Sequence, residues 1–144
     1  MEIFGKTLKD YLWPVKWYVL ACVLIVIFQY DGMLLFFGYN ELMARATQWG
    51  WMLFEAIALA TLVRKYGFGN FGVRNILFTG VLFAVIIHGL KAFVFRVFFF
   101  PYGPLSQSWP TLLYKFFYGS ALVMAVAVIV CMLFYFNKKG WLKK

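Results

Sequence analysis

The sequence predicts an all-α integral membrane protein: four transmembrane helices, a short N-terminal interfacial helix, and both termini on the cytoplasmic side. Three observations carry that expectation. Hydrophobic residues make up 65% of the 144-residue chain and charged residues 13%, against about 45–50% and about 25% in soluble domains. A chain of this length has too little interior to bury so much apolar surface, a conflict that bilayer lipid removes. The apolar residues fall into four runs, and the basic residues alternate in abundance between the segments that join them. One domain, residues 1–144, fits the length.

The elements follow in order. Residues 2–13 set Phe4, Leu8, Tyr11 and Leu12 on one helical face, with Lys6, Lys9 and Asp10 elsewhere, the pattern of a helix lying at the membrane surface. Pro14 then marks a turn or the start of the first span. The spans are expected at about 17–37, 47–63, 76–100 and 116–136, each close to the roughly 17–25 residues that cross a bilayer. Lys6, Lys9, Lys16, Arg64, Lys65, Arg74, Lys138, Lys139, Lys143 and Lys144 then share one side. Arg45 and Lys115 occupy the opposite loops, so the positive-inside rule orients both termini toward the cytoplasm. Trp13, Trp17, Tyr66, Tyr135 and Trp141 are expected to belt the inner face, and Tyr39, Trp49, Trp51, Tyr102 and Trp109 the outer. The cell membrane is the expected location.

The net charge of +9 is a topological signal rather than a nucleic-acid footprint, because the basic residues flank apolar runs. Anionic lipid head groups are its expected contacts, through Arg64, Lys65, Arg74 and Arg96, with Arg96 snorkelling to the outer surface. Gly67-Phe68-Gly69-Asn70-Phe71-Gly72 matches a dinucleotide fingerprint as a string but joins two spans rather than a strand and a helix. It reads as a flexible cytoplasmic turn whose aromatics dip into the interface. The prolines Pro101, Pro104 and Pro110 stiffen the outer loop, which suits a partner contact or interface anchoring.

The residues with chemical potential are the ionisable groups inside the spans. Such groups are costly and usually face the bundle interior. Helix rise puts Glu55 about 12 Å, Lys91 about 13 Å, His88 about 18 Å and Asp31 about 9 Å from the outer ends of their spans. They are expected to meet as a polar cluster in the outer half of the bilayer. Gly80, Ala84 and His88 recur every four residues, and Ala56 and Ala60 accompany Glu55. A close contact of spans two and three, with Glu55 paired to Lys91 or His88, follows. That cluster either fixes helix register, relays protons, or holds the head of a quinone or lipid. The fourth span carries no charge and is expected to pack or to face a partner, leaving the polar seam among the first three.

No catalytic residue or metal site is expected. There is one histidine, Cys22 and Cys131 lie far from the acids, and Asp31, Glu55 and His88 make at most a weak carboxylate-rich set. Ser106 and Ser108 sit in a loop away from His88. No cofactor is expected beyond bound lipid. The function expected is that of a non-catalytic accessory subunit of a larger membrane complex, such as a respiratory or monooxygenase-type assembly, packing against partner helices and lipids. The alternative is a small oligomeric transporter or lipid flippase gated by Glu55, His88 and Lys91.

Overall fold

The computed structural model describes residues 2–37, 40–99 and 108–138. Tyr39, Trp141, the basic residues after Lys138, and the proline-rich segment 100–107 lie outside them. The chain begins with a two-stranded antiparallel ribbon, β1 (Glu2–Ile3) and β2 (Lys6–Thr7), which pairs Glu2 with Thr7 and Ile3 with Lys6. Phe4 and Gly5 turn it with φ of 52° and 74°, the doubly positive φ of a two-residue hairpin turn. Helix α1 (Leu8–Leu12) opens on a capping box: Thr7 Oγ1 accepts from the Asp10 amide and Asp10 accepts from the Thr7 amide at 2.8 Å. The surface helix expected over 2–13 is therefore helical only at its end, because the glycine turn commits residues 2–7 to the ribbon.

A tight 3₁₀ turn, Trp13–Val15, holds Pro14 in its first positions and leads into α2 (Lys16–Ile27). The helix continues to Phe37 with the wider π-helical winding. Helix α3 (Glu41–Tyr66) starts where the Asn40 side chain accepts from the amides of Leu42 (2.9 Å) and Met43 (3.3 Å). It ends on Arg64 and Lys65, which complement the helix dipole, before Gly67 at φ 76°. Helix α4 (Val73–Gly89) likewise continues in π winding from Leu90 to Phe99. Helix α5 runs from Trp109 to Lys138.

Residues 8–32, 73–97 and 109–138 are helical stretches long and apolar enough to cross a membrane. At 26 residues, α3 is about 39 Å long, longer than a bilayer core of about 30 Å, but Gln48, Glu55 and its basic end leave it less apolar. It also extends beyond the expected 47–63 at both ends. Apolarity marks only the middle of α3, whereas the Asn40 cap and good helix formers set its length.

The helices pack as two antiparallel hairpins, α2 with α3 and α4 with α5, which meet along one core. Close contact is set by small residues. A methyl group on Gly80 would come 2.8 Å from Ala127 Cβ, and one on Gly119 would come 2.1 Å from His88 Cε1. Eight residues along α4 thus match eight residues back along α5, with Ala84 and Val123 buried between. Gly80 and His88 of the small-residue stripe therefore meet α5, and His88 also meets Trp51 of α3, so the stripe is not confined to the α3 contact its spacing suggested. Spacing identifies a face but not which neighbour takes it.

At the end of the bundle where the chain begins, the N-terminal segment is latched to the α3–α4 turn. Buried Tyr11 donates to the Ile3 carbonyl at 2.7 Å and accepts from Asn75 Nδ2 at 3.0 Å, while Asn75 also reaches the Phe4 carbonyl at 3.3 Å. Phe71 is fully buried between Tyr11 and Tyr66, and Phe68 stacks on Phe134. The turn expected to dip its aromatics into the interface instead spends Phe71 on protein contacts.

Candidate functional site

At the opposite end of the bundle a cavity of about 220 Å³ opens between all four long helices. The first helix contributes Gln29 and Tyr30, α3 contributes Gln48 and Trp51, the α4 helix and its continuation contribute His88, Lys91 and Arg96, and α5 contributes Lys115, Tyr118 and Gly119. Polar residues placed one to three per helix converge here because each lies on the face its helix turns inward.

Trp51 organises the floor. It is 1% exposed, its ring meets the His88 ring edge-on at 5.5 Å, and the Lys91 ammonium lies 5.2 Å over it. An aromatic face attracts a cation through its quadrupole, so Trp51 occupies the place a carboxylate would take beside Lys91. Arg96 is held in the same manner: its Nε donates to the Tyr30 hydroxyl at 3.3 Å, its guanidinium lies 5.9 Å over that ring, and Tyr30 stacks on Phe95. Lys91 and Lys115 both lie within electrostatic reach of Arg96. No acidic side chain lines the cavity, and among the described residues the one ion pair is Glu41 with Arg45, on the exposed start of α3.

Several buried polar atoms here lack a partner among the described residues: Gln29 Oε1, Trp51 Nε1, His88 Nε2 and one terminal nitrogen of Arg96, all on lining residues. One turn from Trp51 along α3, Glu55 is fully buried, and neither of its carboxyl oxygens has a hydrogen-bond partner among the described residues. Nearby, the Cys22 thiol donates to the Trp51 carbonyl at 3.6 Å.

The expected cluster is thus only partly assembled. His88 and Lys91 line one cavity and Glu55 lies one turn away, but the expected contact of Glu55 with Lys91 or His88 is not formed. His88 is drawn to α5 by the notch at Gly119, and Lys91 to the Trp51 ring. Asp31 is half-buried, does not line the cavity, and makes no ion pair among the described residues. Arg96, expected to snorkel outward, turns toward Tyr30 and the cavity. Arg64, Lys65 and Arg74 are exposed at the other end of the bundle.

Two expectations about α5 and the aromatic belt change. Helix α5 begins before Lys115, so it brings a cation, Tyr118 and the His88 notch to the polar seam assigned to the first three spans. Trp51, placed in the outer belt, is buried in the site, whereas Trp13, Trp17, Trp49 and Trp109 are exposed. Gln29, Gln48 and Lys115 carried a usable signal, as polar interruptions in or beside apolar runs; Trp51, Tyr118 and Gly119 carried none. Comparison with protein-family models, with curated proteins and with solved structures finds no match.

Proposed function

We propose that the chain is a small carrier or flippase of the cell membrane, crossing it four times with both termini cytoplasmic, whose bundle takes up the polar head of an amphiphile. The cavity supports this reading best: a pure packing subunit has no use for a hollow lined by Lys91, Arg96, Lys115, His88 and two glutamines. Such groups are expensive at bilayer depth and are kept where a pathway or ligand uses them. In this reading α3, the least apolar helix, crosses the membrane inside the bundle rather than on its own, and Glu55, His88 and Lys91 form the gate. Arg64, Lys65 and Arg74 would contact anionic lipid phosphates on the cytoplasmic face.

The accessory-subunit reading comes second. The exposed aromatics Tyr114 and Phe117 of α5 favour it, as a surface that partner helices would cover, although lipid covers such a face equally well. Reconstitution into vesicles with a fluorescent phospholipid separates the two. The carrier reading expects lipid exchange between leaflets that Glu55→Gln abolishes while assembly is retained. Unchanged exchange in that variant removes Glu55 from the gate. Absence of exchange, together with stoichiometric foreign subunits after purification in mild detergent, puts the accessory role first. Cysteines introduced at Lys9 and Lys138 test the topology: a membrane-impermeant maleimide should label both from the cytoplasmic side only.

A further inference from the structure

We infer that the cavity is a site for a phosphate-ester anion, entering sideways past α5 with its apolar tail left in the lipid. This rests on the amphiphile-binding reading above and specifies the head group. Three arguments carry it, from charge, size and the position of the mouth.

Lys91, Arg96 and Lys115 bring three cations to one hollow that no acidic side chain lines. In a low-dielectric interior their mutual repulsion is weakly screened, and aromatic faces answer only part of it. A phosphate oxyanion offsets all three, and the unpartnered Arg96 nitrogen, Trp51 Nε1 and His88 Nε2 supply or complete its hydrogen bonds. Arginine in particular matches phosphate geometry with parallel N–H donors. A zwitterionic head would bring its own cation into this cluster and lose that advantage.

A hollow of about 220 Å³ takes a phosphate head with room to spare. The lining includes Tyr118, which is 64% exposed, and the exposed Lys115, so the hollow reaches the outer surface along α5. There Tyr114 stacks on Tyr118 with centroids 6.1 Å apart, beside exposed Phe117. A charged hollow opening onto an aromatic ledge fits a molecule with an anionic head and an apolar tail.

The test uses the full-length protein in dodecyl maltoside, with binding read from Trp51 fluorescence in a background where the other five tryptophans are replaced by phenylalanine. The probes are dioleoyl phosphatidic acid, dioleoyl phosphatidylcholine, dioleoylglycerol and inorganic phosphate. Phosphatidic acid should bind at least about tenfold more tightly than phosphatidylcholine or dioleoylglycerol, the effect of one charge-assisted hydrogen bond. Arg96→Gln and Lys115→Gln should each weaken it about tenfold; Lys115 is exposed, so its variant remains informative if Arg96→Gln does not fold. Lys138→Gln, exposed at the far end of α5, should bind like the parent. Equal binding of all three lipids, lost on Tyr118→Ala, overturns the anion assignment and leaves the amphiphile reading standing. No binding of any lipid overturns both. Inorganic phosphate binding more tightly than phosphatidic acid keeps the anion site and refutes the tail. Binding that Arg96→Gln and Lys115→Gln both leave intact refutes the site itself.

Discussion

Replacing Glu55 with methionine should make the protein more stable. Glu55 is 0% exposed, and among the described residues neither carboxyl oxygen meets a hydrogen-bond partner. A buried polar group without a partner costs about 1–3 kcal/mol relative to the same group satisfied in water. Methionine is unbranched, similar in reach and adaptable in packing, so Glu55→Met removes that cost while filling nearly the same space. The expected gain is about 1–3 kcal/mol. At about 3 °C per kcal/mol for a chain of this size, the unfolding midpoint in detergent should rise by about 3–9 °C. Glu55→Gln serves as the control, since it retains two polar atoms in the same surroundings and should leave the midpoint roughly unchanged. The assay is thermal unfolding followed by tryptophan fluorescence and by recovery of the folded peak on size exclusion. Were Glu55 one half of a buried ion pair, both variants would lose about 3–5 kcal/mol. A loss of 1 kcal/mol or more in Glu55→Met refutes the reasoning, because it requires a partner for the carboxyl group.

Three further outcomes follow from contacts elsewhere. Gly119→Ala drives a methyl group to 2.1 Å from His88 Cε1 and should cost about 1–3 kcal/mol; in the Gly119→Ala, His88→Ala double variant most of that loss should disappear, and strictly additive losses would exclude the contact. Tyr11→Phe removes the hydroxyl that joins Ile3 to Asn75, so stability should fall by about 1–3 kcal/mol. Trypsin should then cleave faster after Lys6 and Lys9, and unchanged cleavage would show that the latch does not hold the segment. Arg45→Ala breaks an ion pair whose side chains are both mostly exposed, and the midpoint should move by the equivalent of less than about 0.5 kcal/mol.

The long apolar helices were legible because apolar run length is a direct statement about solvent. The three most apolar stretches overlap the expected first, third and fourth spans, with ends displaced by up to nine residues. The ends were less legible: Asn40 and Thr7 act as caps through hydrogen bonds to amides two and three residues on, and hydropathy does not register those bonds. The surface helix at the start failed for a related reason. Phe4, Leu8, Tyr11 and Leu12 keep helical spacing, yet a glycine turn and the long-range hydrogen bonds of Asn75 decide the conformation of residues 2–7. In the site, His88 and Lys91 announced themselves as ionisable residues within an apolar run. Their partners did not, because Trp51 and Gly119 are ordinary residues in membrane helices until the antiparallel register of α4 and α5 is known. That register follows from which small residues face each other, and a single sequence does not pair Gly80 with Ala127 rather than with Ala56 or Ala60.

The distribution of lining residues has a consequence for folding. Gln29, Trp51, Lys91 and Lys115 come from four different helices, so the cavity comes into being only when both hairpins have docked. Until then Lys91 and Arg96 lack the faces of Trp51 and Tyr30, and α3 is the helix least able to remain in lipid alone, since an acid near a helix centre costs about 2.5–3.5 kcal/mol on insertion scales. Assembly of the polar seam therefore comes late and contributes little stability by itself. A ligand that binds only the docked bundle stabilises it by RT ln(1 + [L]/Kd), about 2.7 kcal/mol at a hundredfold excess over Kd. The same cations that repel one another in the empty bundle would be the ones to hold the proposed anion, so the cost of the cavity and its proposed use rest on the same residues.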